Sequence, residues 1–264
     1  MGMGDRQVDN LKTYDNVVHE YKRYDLYHPE QTILSRLRDT WHRTRMLDIG
    51  VGAGRTSYIF SAIVKEYIGI DYSAPMVTEC KEIVGENERV SFFVCDACDL
   101  SQFYDTKFDF ILFSCNGIDS VERDQRLMIL SEVRKVLGAE GYFFFSTHSL
   151  HPFFPIKKTI SPFNKRKPVR SLWYAMKDYI FLMRKKWLYR NVDVNAIKKA
   201  QWALLITGDH NFQMRGYHSY PDYQVKQLED TGFAVESVYG RDGSIIDPSE
   251  NKPEVSLYFL CQAR

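Results

Sequence analysis

No run in this chain approaches the ~20 apolar residues that a membrane span requires. Its opening residues are polar and charged, with Asp5, Arg6, Asp9 and Lys12 among them, which is not the pattern of a secretory signal. Cysteine is scarce and odd in number: Cys80, Cys95, Cys98, Cys115 and Cys261. Free thiols in a reducing, cytoplasmic setting are therefore expected. Cys95-Asp96-Ala97-Cys98 is a C-x-x-C, but the chain offers neither a second C-x-x-C nor an H-x3-H, so the cysteines read as structural and no metal is expected. Net charge is also small, +1 over 264 residues. That length fits one domain with an insertion and a core of ordinary size.

Against this background one segment stands out: Met46-Leu47-Asp48-Ile49-Gly50-Val51-Gly52-Ala53-Gly54-Arg55-Thr56. An apolar strand ends near an acid and enters three glycines at alternate positions. Residues 56–64 then read as a helix. Glycines at such a turn allow close approach of a ligand, and the free amides of the helix start would face it. A nucleotide-like cofactor at the first strand-to-helix turn of an α/β sheet follows. The dinucleotide pattern G-x-G-x-x-G is broken, because its third position falls on Arg55. Asp48, two residues before the first glycine, repels a polyphosphate and suits a cofactor with a cationic amino group.

The segment resembles the first motif of the class I S-adenosylmethionine-dependent methyltransferases, D/E-x-G-x-G-x-G, at Asp48, Gly50, Gly52 and Gly54. Residues 64–73 read as a second strand ending in Asp71, which lies 23 residues after Asp48 and suits a ribose diol. The resemblance extends to Asp71-Tyr72-Ser73-Ala74-Pro75-Met76, and implies that Tyr72 and Met76 contact the adenine. Residues 90–96 form a third strand ending in Asp96, to which the family assigns the adenine amino group. A fourth strand, 108–114, leads into Cys115-Asn116-Gly117-Ile118. By the same resemblance Ser114 and Asn116 lie at the cofactor, beside its sulfonium. A helix over 125–137, a fifth strand over 142–146 and a terminal pair, 233–239 and 255–261, complete the pattern. The implied fold is an α/β three-layer sandwich, with a mostly parallel seven-stranded sheet whose last strand is antiparallel. The S-adenosylmethionine-binding core spans 41–150 and 216–264.

Residues 151–215 form an insertion too long for an ordinary loop, and are expected to be a helical lid. Lys157 to Arg190 holds eleven lysines and arginines against the single acid Asp178, leaving the remainder net acidic. From 171 to 190 the apolar residues Leu172, Met176, Tyr179/Ile180, Met183 and Trp187 recur at helical spacing. This basic, aromatic helix reads in three ways: a cap packing its apolar face on the sheet, a site for an anionic small substrate, or a contact with a membrane surface through Trp173, Phe181 and Trp187. Nucleic acid is not expected. The D/N/S-P-P-Y/F motif of DNA amino-methyltransferases is replaced by Ser114-Cys115-Asn116-Gly117.

Methyl transfer from a sulfonium needs an aligned nucleophile and, for a hydroxyl, a base. His148 after the fifth strand, with His210 and His218 from the end of the insertion, are the candidate catalytic bases. The N-terminal residues 1–40 resemble the tyrosine-bearing cap of small-molecule members, making Tyr14 and Tyr21 candidate cofactor contacts. The expected function is methylation of a small molecule, oxygen preferred over nitrogen. The alternatives are a lipid-like or membrane-associated acceptor, or a regulatory protein that binds the cofactor without turnover.

Overall fold

The computed structural model describes residues 10–16, 25–151, 168–207, 214–250 and 254–264. Five parallel strands form the first half of the sheet: β1 (Arg45–Ile49), β2 (Glu66–Asp71), β3 (Val90–Val94), β4 (Phe108–Phe113) and β5 (Leu137–Ser149). β9 (Ser256–Ala263) lies antiparallel on β5, and β8 (Phe233–Tyr239) lies antiparallel on β9. The resulting order, β3-β2-β1-β4-β5-β9-β8, is the expected seven-stranded sheet with its last strand reversed. Two further strands, β6 (Trp202–Ile206) and β7 (Arg215–Ser219), raise the total among the described residues to nine.

Both faces of the sheet are covered, so its central strands are largely apolar rather than alternating with polar residues. Alternation decides only which layer each side chain joins. Leu47, Ile49, Ile111, Phe113, Phe143 and Phe145 pack on the layer of α5 (Arg123–Val136) and α8 (Pro221–Asp230). Met46, Phe110, Leu112 and Phe144 turn the other way, towards Ile33 of α2 (His28–Arg36), Phe60 of α3 (Ser57–Ile63) and Val77 of α4 (Ala74–Val84). On that face Gly69 leaves room for a neighbour: a Cβ there would lie 2.6 Å from the Phe92 ring and 2.9 Å from Val51.

The length of β5 explains the hairpin. β4 accompanies it only as far as Phe145, whereas His148 and Ser149 continue alongside His218 and Ser219 of β7. β7 thus takes the edge of β5 that β4 vacates, and the β6–β7 pair stands over the carboxyl end of β4. A short helix, α1 (Asn10–Asn16), approaches from the other side. The Asn10 amide donates to the carbonyls of Ser120 and Arg215, at 2.7 and 2.8 Å.

Within the insertion, α6 (Pro168–Leu188) and α7 (Val194–Ala200) precede β6. Buried Tyr189, just beyond α6, joins Ile197, Ala203, Leu205 and Leu150 in a small separate core. Of the three readings of this helix, a cap whose apolar face packs on the sheet is not what its described residues show. Trp173, Met176, Ile180, Met183 and Trp187 are all exposed. Leu188 at the carboxyl end of α6 and Tyr189 just beyond it pack in the core of the hairpin, and the Tyr189 hydroxyl donates to the Ile206 carbonyl.

Replacing Gly69 with alanine should force Phe92 and Val51 apart and cost about 1–3 kcal/mol. A urea unfolding midpoint equal to that of the unaltered protein would contradict this packing.

Candidate active site

A cavity of about 810 Å³ opens at the carboxyl ends of β1, β2 and β4, where ligands of open α/β sheets bind. Gly50, Gly52, Asp71, Tyr72, Met76, Asp96 and Ser114 line it, as does Tyr14 of α1. The glycine turn makes this wall from bare backbone. Gly52 has φ +55°, and a Cβ there would meet no protein atom within 4 Å, so the space beside it belongs to the cavity. Gly54 (φ +85°) works differently: a Cβ would approach Cys80 Sγ to 3.0 Å, so this glycine lets α4 pack closely.

Asp71 closes β2 and is nearly buried. Its carboxylate accepts from the Gly52 amide and the Ser73 amide, both at 2.9 Å. Burial raises its pKa, opposed by these two bonds. Ser73 caps α4 by accepting from the Met76 amide, which fixes Met76 on the cavity wall, while Tyr14 and Tyr72 meet edge to face at 6.1 Å. Asp96 accepts from the Cys98 amide at 2.9 Å. The acid that ends β2, an apolar slot and a second acid therefore follow one another along the wall. These groups fit an adenosyl cofactor.

Asp48 is placed otherwise than its sequence suggests. It shares the face of Met46, so its carboxylate points into the layer beneath α3, where Thr56 Oγ1 and the Tyr67 hydroxyl each donate to it at 2.6 Å. Burial, against those two bonds, pushes its pKa up to about 7. It does not line the cavity and instead holds the glycine turn from behind. Asn116 is also outside the lining. Its Nδ2 donates to Ser256 Oγ at 3.0 Å and lies 3.1 Å from His148 Nε2. Cys115 and Asn116 both have φ +56°, a conformation that asparagine tolerates and cysteine rarely adopts. The amide of Asn116, donating to Ser146 Oγ at 2.7 Å, holds this bend.

The histidines separate. His148 Nδ1 lies 2.8 Å from Asp119 Oδ2, and its backbone amide donates to the same oxygen at 2.7 Å. Asp119 is buried and also bound to Arg126 and Thr147. Burial would raise its pKa, but the Arg126 guanidinium and His148 hold it below the usual carboxylate range. The anionic partner fixes His148 with Nδ1 as donor and Nε2 as the basic nitrogen. His218 stacks on His148 at 4.7 Å. Burial, with His148 beside it and Asp119 opposing, lowers its pKa to about 3. His218 is buried, with Nδ1 on the Gly216 carbonyl, and does not line the cavity. Tyr21 and His210 lie outside the described residues.

Sequence reasoning missed a buried network at the cavity rim. Arg55 meets Glu30 through two bonds, Nη1–Oε2 at 2.6 Å and Nη2–Oε1 at 2.7 Å, and also donates to Ser114 Oγ at 3.0 Å. Its guanidinium lies 4.3 Å from the centre of the Tyr27 ring. The signal was present: an arginine within a buried glycine turn requires a carboxylate from elsewhere. Burial and then Asp96 push the Cys98 thiol up to about 12.

Residues 46–141 match the family model described as a methyltransferase domain. The chain is 35% identical over 108 residues to a Bacillus subtilis protein described as an uncharacterized methyltransferase, YcgJ, covering 39% of this chain and 40% of that one. The matched region thus spans less than half of that relative's length. The fold is similar to the CcbJ methyltransferase of Streptomyces caelestis (TM-score 0.63, 13% identity, 97% of this chain and 99% of that one). It is also similar to an S-adenosylmethionine-dependent methyltransferase of Clostridium acetobutylicum (TM-score 0.58, 13% identity, 96% of each). Residues 46–141, which carry the glycine turn, are thus similar to a methyltransferase domain, and the fold around them is similar to that of S-adenosylmethionine-dependent methyltransferases.

Two predictions test this geometry. Asp71→Ala should weaken S-adenosylmethionine binding by about 1–3 kcal/mol, through loss of a charged hydrogen-bond acceptor; unchanged affinity in calorimetry would remove Asp71 from the site. Because native His218 stays neutral while an unfolded histidine gains a proton below about 6.5, this residue makes stability fall as pH drops from there towards 3. Its share of the slope is about 1.4 kcal/mol per pH unit. Urea unfolding at pH 7, 6 and 5 should show a shallower decline in His218→Asn, and equal slopes would contradict the neutral assignment.

Proposed function

We propose that this protein transfers the methyl group of S-adenosylmethionine to a small-molecule acceptor, oxygen before nitrogen. The observation that carries the reading is one continuous cavity lined both by Asp71 and the glycine backbone and by Ser120, Glu122, Leu204 and Arg215. Its volume suits small molecules. Asp71 would hold the ribose, Tyr72 and Met76 the adenine face and Asp96 its amino group. Gly50 and Gly52 would admit the chain of the cofactor, with Tyr14 above it and Ser114 below. The bound cofactor supplies an electrophilic methyl group on a sulfonium. In this reading residues 1–40 form a cap and 151–215 a lid around the acceptor.

Oxygen is preferred because Asp119 orients the His148 ring through Nδ1, which leaves Nε2 as the nitrogen that would accept a proton. A swing of the Asn116 amide would free Nε2 to take the hydroxyl proton. An amine acceptor is the second reading, favoured by the same 3.1 Å contact in its resting form: with Nε2 occupied, an unprotonated amine needs only positioning.

The test is incubation with methyl-labelled S-adenosylmethionine and a panel of phenols, alcohols and amines. Label in a small-molecule product supports the proposal; tight cofactor binding with no labelled product across the panel would make the protein a regulatory binder. With a hydroxyl acceptor, His148→Ala should lower kcat by about 10²–10⁴-fold at unchanged cofactor affinity. Full activity would leave the amine reading.

A further inference from the structure

The exposed face of α6 is ordered. Trp173, Met176, Ile180, Met183 and Trp187 follow one another at intervals of three, four, three and four residues, which places all five on one stripe of the helix. All five are exposed. On one flank of the stripe stand Lys177 and Arg184, and on the other Lys186 and Arg190, all four exposed. Lys177 Nζ lies 3.9 Å from the Trp173 ring centre and the Arg190 guanidinium 4.5 Å from that of Trp187. The one acid of this helix, Asp178, falls on the opposite side, by the 100° step per residue.

Large exposed apolar patches mark contact surfaces, and the flanking charge selects the occupant. A second copy of this helix would bring cations on both flanks towards cations, with no acid on either flank to pair them. An anionic bilayer is complementary at every position: the stripe enters the headgroup boundary, the tryptophans settle at the interface and the cations meet lipid phosphates and carboxylates. No helix among the described residues is long and apolar enough to cross a membrane, so α6 lies along the surface. We propose that this face of α6 docks the protein on anionic lipid membranes. Docked by its carboxyl end to the β6–β7 hairpin that roofs the cavity, α6 would bring that roof to the bilayer.

The experiment is sedimentation of the full chain with phosphatidylcholine vesicles, with and without phosphatidylserine, at low salt and at 0.5 M salt. Binding should require phosphatidylserine and fall with salt, since screening shortens the reach of charge to a few ångströms near molar ionic strength. Trp173→Ala/Trp187→Ala and Lys177→Glu/Lys186→Glu should each weaken it about tenfold or more. Circular dichroism and calorimetric cofactor binding would show these variants folded. Absence of binding to the anionic vesicles, or binding that both variants retain, would overturn the proposal. So would a dimer of the unaltered protein in sedimentation equilibrium that Ile180→Asp dissociates, because it would assign the stripe to a second copy.

Discussion

The buried pair of Arg55 and Glu30 is the interaction on which the candidate site depends. Burial alone would lower the pKa of the guanidinium, yet the Glu30 carboxylate holds it above its ordinary value. Two charges removed from water are stable only when each finds complete partners, and here the partners come from separate parts of the fold. Arg55 belongs to the glycine turn, Glu30 to the first turn of α2 and Ser114 to the end of β4. Tyr27, which covers the guanidinium, also lines the cavity. The pair therefore joins α2 to the ends of β1 and β4 that border the cavity.

A second buried charge does comparable work deeper in the sheet. Arg126 is fully buried on α5 and meets Asp119, Thr147, Gln224 and Gln227. It tethers α5 and α8 to the far end of β5, leaving Asp119 charged beside His148. The position of a candidate base is thus set by a core arginine that does not line the cavity. The length of β5 contributes to the same end, since only its last residues reach past β4 to receive the β6–β7 hairpin.

Much of this was legible in the sequence, for a physical reason. The order of strands and the acids that end β2 and β3 follow from local patterns, and Asp71, Met76 and Asp96 all face the cavity. Asp48 fell outside the same logic. Side chains alternate along a strand, and the face of Asp48 depends on register, which a glycine motif does not reveal. Thr147 and His148 join Asp119 and Arg126 from β5, more than 20 residues along the chain, and Glu30 finds Arg55 across 25 residues. Helical periodicity identified α6 but not the direction of its apolar stripe, because periodicity reports a face and not what covers it.

The central claim is that the cavity at the strand ends is built for S-adenosylmethionine. Calorimetric titration of the unaltered protein with S-adenosylmethionine and S-adenosylhomocysteine, with NAD as control, tests it most directly. The account predicts one site per chain for the first two ligands and none for NAD. Binding of NAD alone, or of none of the three, would contradict it.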